Sequence, residues 1–210
     1  MRLRIMLAED HTIVLEGLRA LLEKENFEIV GEAQDGLLAV ELAERFKPDI
    51  AILDIAMPVL NGIDAAREIL RVSPDTRVIL LTRHADNHYV VEALRAGVSG
   101  YLLKTRAASD LVAAIREVSC GAFYVSPGLS RDVVKSFLEN KNCKADPLTP
   151  RERAVLQLIA EGKSTKLVGV ILGISVKTAE SHRARLMSKL GIHETATLVR
   201  YAIRQGVIQP

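Results

Sequence analysis

Ile50–Pro58 reads IAILDIAMP. Ile50, Ala51, Ile52 and Leu53 form a short apolar run of the kind that makes a strand buried on both faces. The run ends in Asp54, and Met57-Pro58 follow soon after. A carboxylate at the end of a buried strand is costly unless a cation or hydrogen-bond donors offset it. The residues around the run must supply that compensation.

Working outward, four more apolar runs recur in the first 105 residues: RIMLAED, FEIVGEA, RVILLTR and GYLLKT. Between the runs lie segments with helical spacing. In HTIVLEGLRALLEKE, for example, Ile13, Leu15, Leu18, Leu21 and Leu22 are expected on one buried face. LLAVELAERF, IDAAREIL and VVEALRAG behave alike, and DLVAAIREV follows the last run. Strands alternating with helices predict a doubly wound α/β fold, a five-stranded parallel (βα)5 sheet with helices on both faces.

Ligands of such sheets bind beyond the carboxyl ends of the strands. Strand one ends in Glu9-Asp10, strand three in Asp54, strand four in Thr82 and strand five in Lys104, all toward one rim. Clustered carboxylates repel one another unless a cation stands among them. Carboxylates with room for water and phosphate oxygens suit Mg²⁺. Thr82 and Lys104 can both donate to an anion. A nucleophilic carboxylate, a metal and two donors make a phosphoryl-transfer site. FEIVGEAQDG lacks the G-x-G-x-x-G of a dinucleotide site. In HADNH, His84, Asp86 and His88 read as a solvated loop, and His11 as a residue capping or lining the rim.

Residues 4 to about 120 resemble the response-regulator receiver domains of two-component signalling. The resemblance rests on Glu9-Asp10, on LDIAMPVLNG with Asp54, Pro58 and Gly62, on LLTR with Thr82, and on GYLLKT with Tyr101 and Lys104. It implies that Asp54 accepts phosphate from a sensor histidine kinase. It implies Mg²⁺ on Glu9, Asp10, Asp54 and the backbone carbonyl of Ala56. Thr82 and Tyr101 become the switch pair, the ring of Tyr101 moving inward on phosphorylation. Thr105 departs from the proline many receivers carry after the lysine.

Charge is divided along the chain. The whole has a formal net charge of +2, with 49% hydrophobic and 26% charged residues, ordinary for globular domains. Residues 1–125 carry 14 Lys+Arg and 19 Asp+Glu, whereas residues 147–210 carry 10 and 4. An acidic front and a basic tail point to a polyanion partner for the tail. No run approaches the roughly 18 apolar residues of a membrane helix. MRLRIMLAEDH meets acidic residues too early for a signal peptide. Cys120 and Cys143 fit no metal or redox spacing. A cytoplasmic protein is expected.

The domains are expected at 1–122 and 147–210, joined by a linker at 123–146. There Leu129, Val133, Phe137 and Leu138 suggest a short helix, and ENKNCKAD an exposed stretch. The tail predicts a small all-α four-helix helix-turn-helix domain. Thr149, Pro150 and Glu152 form a capping-box start, Gly162 ends the first helix, and Val155, Leu156, Leu158 and Ile159 are its buried face. STKLVGVILG, SVKTAESHRARLMSKLG and TATLVRYAIRQG are the other helices. In the third, Ala179, Leu186 and Leu190 face inward, flanked by His182 and Arg183. Lys177, Glu180, Ser181, Ala184, Arg185 and Ser188 are expected in a major groove. Lys163, Lys166, Arg183, Lys189 and Arg200 are the candidate phosphate contacts.

LTPRERAVLQLIAEGKS and LGISVKTAESHRARLMSKLGI resemble the LuxR-type helix-turn-helix domain. The whole chain is thereby similar to the NarL/FixJ group of transcription regulators. This implies a dimer on double-stranded DNA, with Leu198, Val199, Ala202 and Ile203 of the last helix as the dimer contact. The chain has STKLVG where the group usually reads SNKEIA, and Glu180 where it often has a DNA-contacting lysine. Two other classes compete. An Asp-nucleophile phosphatase would carry a second acid at Ala56 and is disfavoured. A signalling adaptor would bind protein with its tail.

Overall fold

The computed structural model describes residues 2–83, 87–127 and 147–208. The chain divides into two compact units, Met1–Lys141 and Asn142–Pro210. The linker helix suggested around Leu129–Leu138, ENKNCKAD, His84 and Asp86 lie outside the described residues. Among them, no helix is long and apolar enough to cross a membrane.

The first unit alternates strand and helix. In chain order they are β1 (Arg4–Ala8), α1 (Thr12–Lys24), β2 (Glu28–Ala33), α2 (Gly36–Phe46), β3 (Ile50–Asp54) and α3 (Gly62–Val72). Then come β4 (Arg77–Thr82), α4 (Asn87–Ala96), β5 (Gly100–Leu103), a 3₁₀ turn at Lys104–Arg106, α5 (Ala107–Ser119) and β6 (Tyr124–Val125). The sheet is parallel, in the order β2-β1-β3-β4-β5-β6.

All five residues of β3 are buried, as a central strand covered on both faces requires. On one face Ile5, Leu7, Ile50, Ile52, Ile79, Leu81 and Leu102 pack with Leu15, Leu18 and Leu22 of α1 and Leu111, Ile115 and Val118 of α5. Met6, Ala51, Leu53, Val78 and Leu80, which alternate with them, are buried beneath the other helix layer.

Two expectations are corrected here. The sheet has six strands, because Tyr124 and Val125, placed in the linker by sequence, pair with Gly100 and Tyr101. A two-residue strand leaves no periodicity to read. Ile13 is 86% exposed, not buried. It stands five residues before Leu18, which at 100° per residue puts it on the far side of α1.

Among its described residues the second unit has four helices: α6 (Pro150–Ala160), α7 (Thr165–Ile171), α8 (Val176–Leu190) and α9 (Thr195–Arg204). The Thr149 side chain accepts from the Glu152 N–H and the Glu152 side chain accepts from the Thr149 N–H, closing a capping box at α6. Ser164 and Ser175 cap α7 and α8 more simply, each side chain accepting from the N–H of Leu167 or Thr178. Val155, Leu156, Leu158 and Ile159 are buried. Leu198 and Ala202, expected at a dimer contact, are fully buried on the side of α9 that packs on α6. They belong to the core of the unit, because the apolar stripe of a short helix is used first to close its own domain.

Candidate phosphoacceptor site and nucleic-acid interface

β1, β3, β4 and β5 run side by side and in parallel, so their carboxyl ends open on one rim. Register brings Asp54 opposite Leu81 and Thr82 opposite Leu103. Glu9, Asp54 and Thr82 are buried there, at 0%, 3% and 1% exposure. Lys104 lies between the two acids. Its Nζ is 2.9 Å from Asp54 Oδ2 and 2.7 Å from Glu9 Oε2. The charge that ends the central strand is therefore compensated from the residue that follows β5.

Asp10 is more open. Its Oδ1 is 2.7 Å from His11 Nδ1, which is also 3.2 Å from Glu9 Oε1. His11 is the residue before α1, but its side chain makes no capping hydrogen bond. It lines the rim instead. Possible ligand atoms of Glu9, Asp10 and His11 lie within 4.8 Å of one another. Glu9 Oε2 is buried and has no hydrogen-bond partner, its contact with Lys104 being one of charge. The carboxylates of Glu9 and Asp10, gathered this closely at the rim, suit a divalent cation.

The loop after Asp54 is held tightly. Ile55 N–H donates to the Leu81 carbonyl (3.1 Å), and Gly62 N–H donates to the Ile55 carbonyl (2.9 Å). Leu60 N–H donates to the Pro58 carbonyl at 2.7 Å, a γ-turn that puts Val59 at φ +68°. A Cβ at Gly36 would meet the Leu60 carbonyl oxygen at 1.9 Å, so only glycine lets α2 come this close. Asn61 caps α3 through the Asp64 N–H, and its amide donates to Asp64 Oδ2.

Arg67 pairs with Asp64 and with Glu92, which itself pairs with Arg95, so α3 and α4 are joined by an ion network. Sequence reasoning missed this network. The i,i+3 spacings of Asp64 with Arg67 and of Glu92 with Arg95 were its visible signs.

Tyr101 is buried, at 1% exposure. Cys120 is a free, exposed thiol.

In the second unit, Lys177, Glu180, Ser181, Ala184, Arg185 and Ser188 form one exposed face of α8. Ala179 and Leu186 are fully buried, and His182, Arg183 and Leu190 are half-buried. Arg183 donates to the hydroxyls of Thr165 and Thr195. Lys189 Nζ is 2.6 Å from Glu152 Oε2. Burial alone would push the Glu152 carboxyl up, but hydrogen bonds from Lys189 and Thr149 outweigh it and hold the group below its usual value. Lys163 and Lys166 are exposed. A helix, a turn at Gly173 (φ +63°) and a longer basic helix make a helix-turn-helix.

An acid-rimmed parallel sheet with a lysine beside its central aspartate, joined in one chain to a helix-turn-helix, defines the phosphorylation-controlled transcription regulators. The family described as response regulator receiver domain matches residues 5–116, and that of bacterial regulatory proteins, luxR family, matches residues 146–202. The chain belongs to the NarL/FixJ group of two-component response regulators. It is a DNA-binding regulator of transcription rather than an enzyme.

The chain is 38% identical to the transcriptional regulatory protein MctR of Rhizobium johnstonii over 208 residues, covering 99% of this chain and 96% of the relative. It is 34% identical to the oxygen regulatory protein NreC of Staphylococcus carnosus, covering 98% and 99%. Among solved structures it is similar to RcsB of Salmonella enterica serovar Typhimurium bound to promoter DNA in the presence of the phosphomimetic BeF3−. That match has a TM-score of 0.58 and 28% identity, covering 96% of this chain and 98% of that one.

Proposed function

We propose that Asp54 is the phosphoacceptor, that a sensor histidine kinase is the donor, and that the modified chain binds DNA as a homodimer in the cytoplasm. The observation that carries this reading is Lys104, whose ammonium stands within 3 Å of both Glu9 and Asp54. An Asp54 oxygen attacks the phosphorus of the donor. A P–O bond forms as the P–N bond to the donor imidazole breaks, and the imidazole leaves with the electron pair. Glu9, Asp10, Asp54 and the Ala56 carbonyl would hold Mg²⁺, which supplies charge neutralisation for the phosphoryl oxygens. Lys104 then pairs with a phosphoryl oxygen, and the Thr82 hydroxyl donates to another. Tyr101, beneath the same strand ends, is the second member of the switch.

Lys177, Glu180, Ser181, Ala184 and Arg185 of α8 face the major groove, with His182 and Arg183 at its edge. Lys163 and Lys166, both exposed, are assigned to backbone phosphates, while Lys189 and Arg183 also serve the fold. We assign this role to residues 147–210, and the acceptor role to the receiver.

The test is labelling with acetyl phosphate and Mg²⁺. Wild type should be labelled and Asp54→Asn should not. Thr82→Ala should accept phosphate but lose most of the phosphorylation-dependent gain in DNA affinity. Equal labelling of Asp54→Asn removes the assignment.

A further inference from the structure

β6 lies at the edge of the sheet, and its hydrogen bonds bracket the strand that delivers Lys104. Tyr124 N–H donates to the Ser99 carbonyl (3.1 Å), and Ser126 N–H donates to the Tyr101 carbonyl (3.0 Å). In the other direction, Leu103 N–H donates to Ser126 Oγ at 3.2 Å. Ser126 is only 1% exposed. A two-residue strand at an edge has little stability of its own. The buried hydroxyl adds what the strand lacks: it gives the Leu103 N–H an acceptor where water cannot reach.

Leu103 is the last residue of β5 and immediately precedes Lys104. Ser126 therefore grips the Tyr101–Leu103 segment at both ends, on its far side from the acids. Lys104 has a backbone fixed by this grip and an ammonium fixed by Glu9 and Asp54. A change in the charge that Lys104 faces bears on Leu103, which is held by Thr82 of β4 on one side and by Ser126 on the other. The chain running on from Pro127 leads to the DNA-binding unit.

We propose that Ser126 is a positioning residue for phosphoryl transfer, setting Lys104 through the Leu103 N–H and tying the chain that leaves the receiver to the state of the acceptor site. The proposal rests on the reading of Asp54 as acceptor. Three full-length variants test it: Ser126→Ala, which lacks the hydroxyl, Ser126→Thr, which keeps it, and Asp54→Asn. Labelling rates are measured against acetyl phosphate concentration at fixed Mg²⁺. Ser126→Ala should lower the maximal rate at least threefold with little change in the half-saturating concentration, and Ser126→Thr should restore it.

A purely structural serine would lower the melting temperature of Ser126→Ala and leave the maximal rate of the folded protein unchanged; that result overturns the proposal. Labelling of Asp54→Asn at the wild-type level would instead remove the acceptor reading, and this proposal with it. Should Ser126→Ala fail to fold, amide exchange in wild type decides. Adding beryllofluoride with Mg²⁺ should change exchange at Leu103 and Ser126 at least tenfold, and unchanged exchange at both overturns the proposal.

Discussion

A Cβ built on Gly62 would lie 2.0 Å from the carbonyl oxygen of Asp54. The start of α3 is thus pressed against the backbone of the acceptor residue. Gly62→Ala should cost at least 1–3 kcal/mol, about the range for overpacking a tight site. Gly17 is the control, since a Cβ there meets nothing within 4 Å. Gly17→Ala, inside α1, should stabilise by about 0.5–1 kcal/mol. Urea denaturation of the two variants beside wild type checks both signs. A tolerated Gly62→Ala would mean that the acceptor loop can shift away from α3.

Lys104→Met leaves the buried carboxylates of Glu9 and Asp54 facing each other without the ammonium between them. Breaking a buried ion pair on one side costs about 3–5 kcal/mol. Stability without Mg²⁺ should fall toward that extent, and Mg²⁺ should recover more of it in the variant than it adds to wild type. Denaturation midpoints with and without Mg²⁺ give the comparison. An unchanged midpoint without Mg²⁺ would show that Lys104 contributes no net stability at the rim.

Glu152 sets a pH dependence for the helical unit. Its folded-state pKa lies below its ordinary value of 4.5. A carboxyl depressed by folding contributes stability above its unfolded pKa and loses it as pH falls through the folded one. The stability advantage of wild type over Glu152→Gln should be full at neutral pH and decline from about pH 4.5 downward. Urea melts of both proteins between pH 7 and 3 measure it. An advantage that grows on acidification would reverse the sign and sink the argument.

Glu180→Lys reports on the DNA face. Glu180 is exposed in the first turns of α8, on the face shared with Lys177, Ser181 and Ala184. If it reads no base, lysine there should tighten binding to all sequences and steepen the salt dependence by about one phosphate contact, a slope near 0.9. A carboxylate that accepts from a cytosine amino group gives the opposite at the specific site, a loss of about 1–3 kcal/mol. Titrations at two salt concentrations with specific and random duplexes separate the two. No change in either would place Glu180 away from DNA.

The sheet and its rim were legible because central parallel strands leave uninterrupted apolar runs. A polar residue ending such a run, as Asp54, Thr82 and Lys104 do, has few roles other than a ligand's. The capping box of Thr149 and Glu152 was legible for a different reason: it is a local pattern of three residues' spacing, formed as written. What failed to show depends on distance along the chain. Tyr124 and Val125 carry no sign that they add to β5, because a strand of two residues has no alternation. Leu198 and Ala202 have the spacing of any amphipathic helix, and nothing in it distinguishes a core face from a dimer face. Lys189 looks like a phosphate contact until Glu152, 37 positions earlier, is found beside it.

That last pairing alters the electrostatic valence of the helical unit. Residues 147–210 hold 10 basic side chains. Yet the charge of Lys189 is neutralised by Glu152, and the guanidinium groups of Arg183 and Arg151 donate to threonine hydroxyls and to the Leu172 carbonyl. A cation neutralised by a carboxylate, as Lys189 is, has little charge left to displace counterions from the duplex, whereas the arginines bonded to neutral oxygens keep theirs. The number of ions released on binding should therefore fall short of what composition suggests by the donor that Glu152 neutralises. An assay of binding against salt measures that shortfall directly. The same fold could raise its grip on DNA without gaining a single basic residue, merely by releasing one it already has.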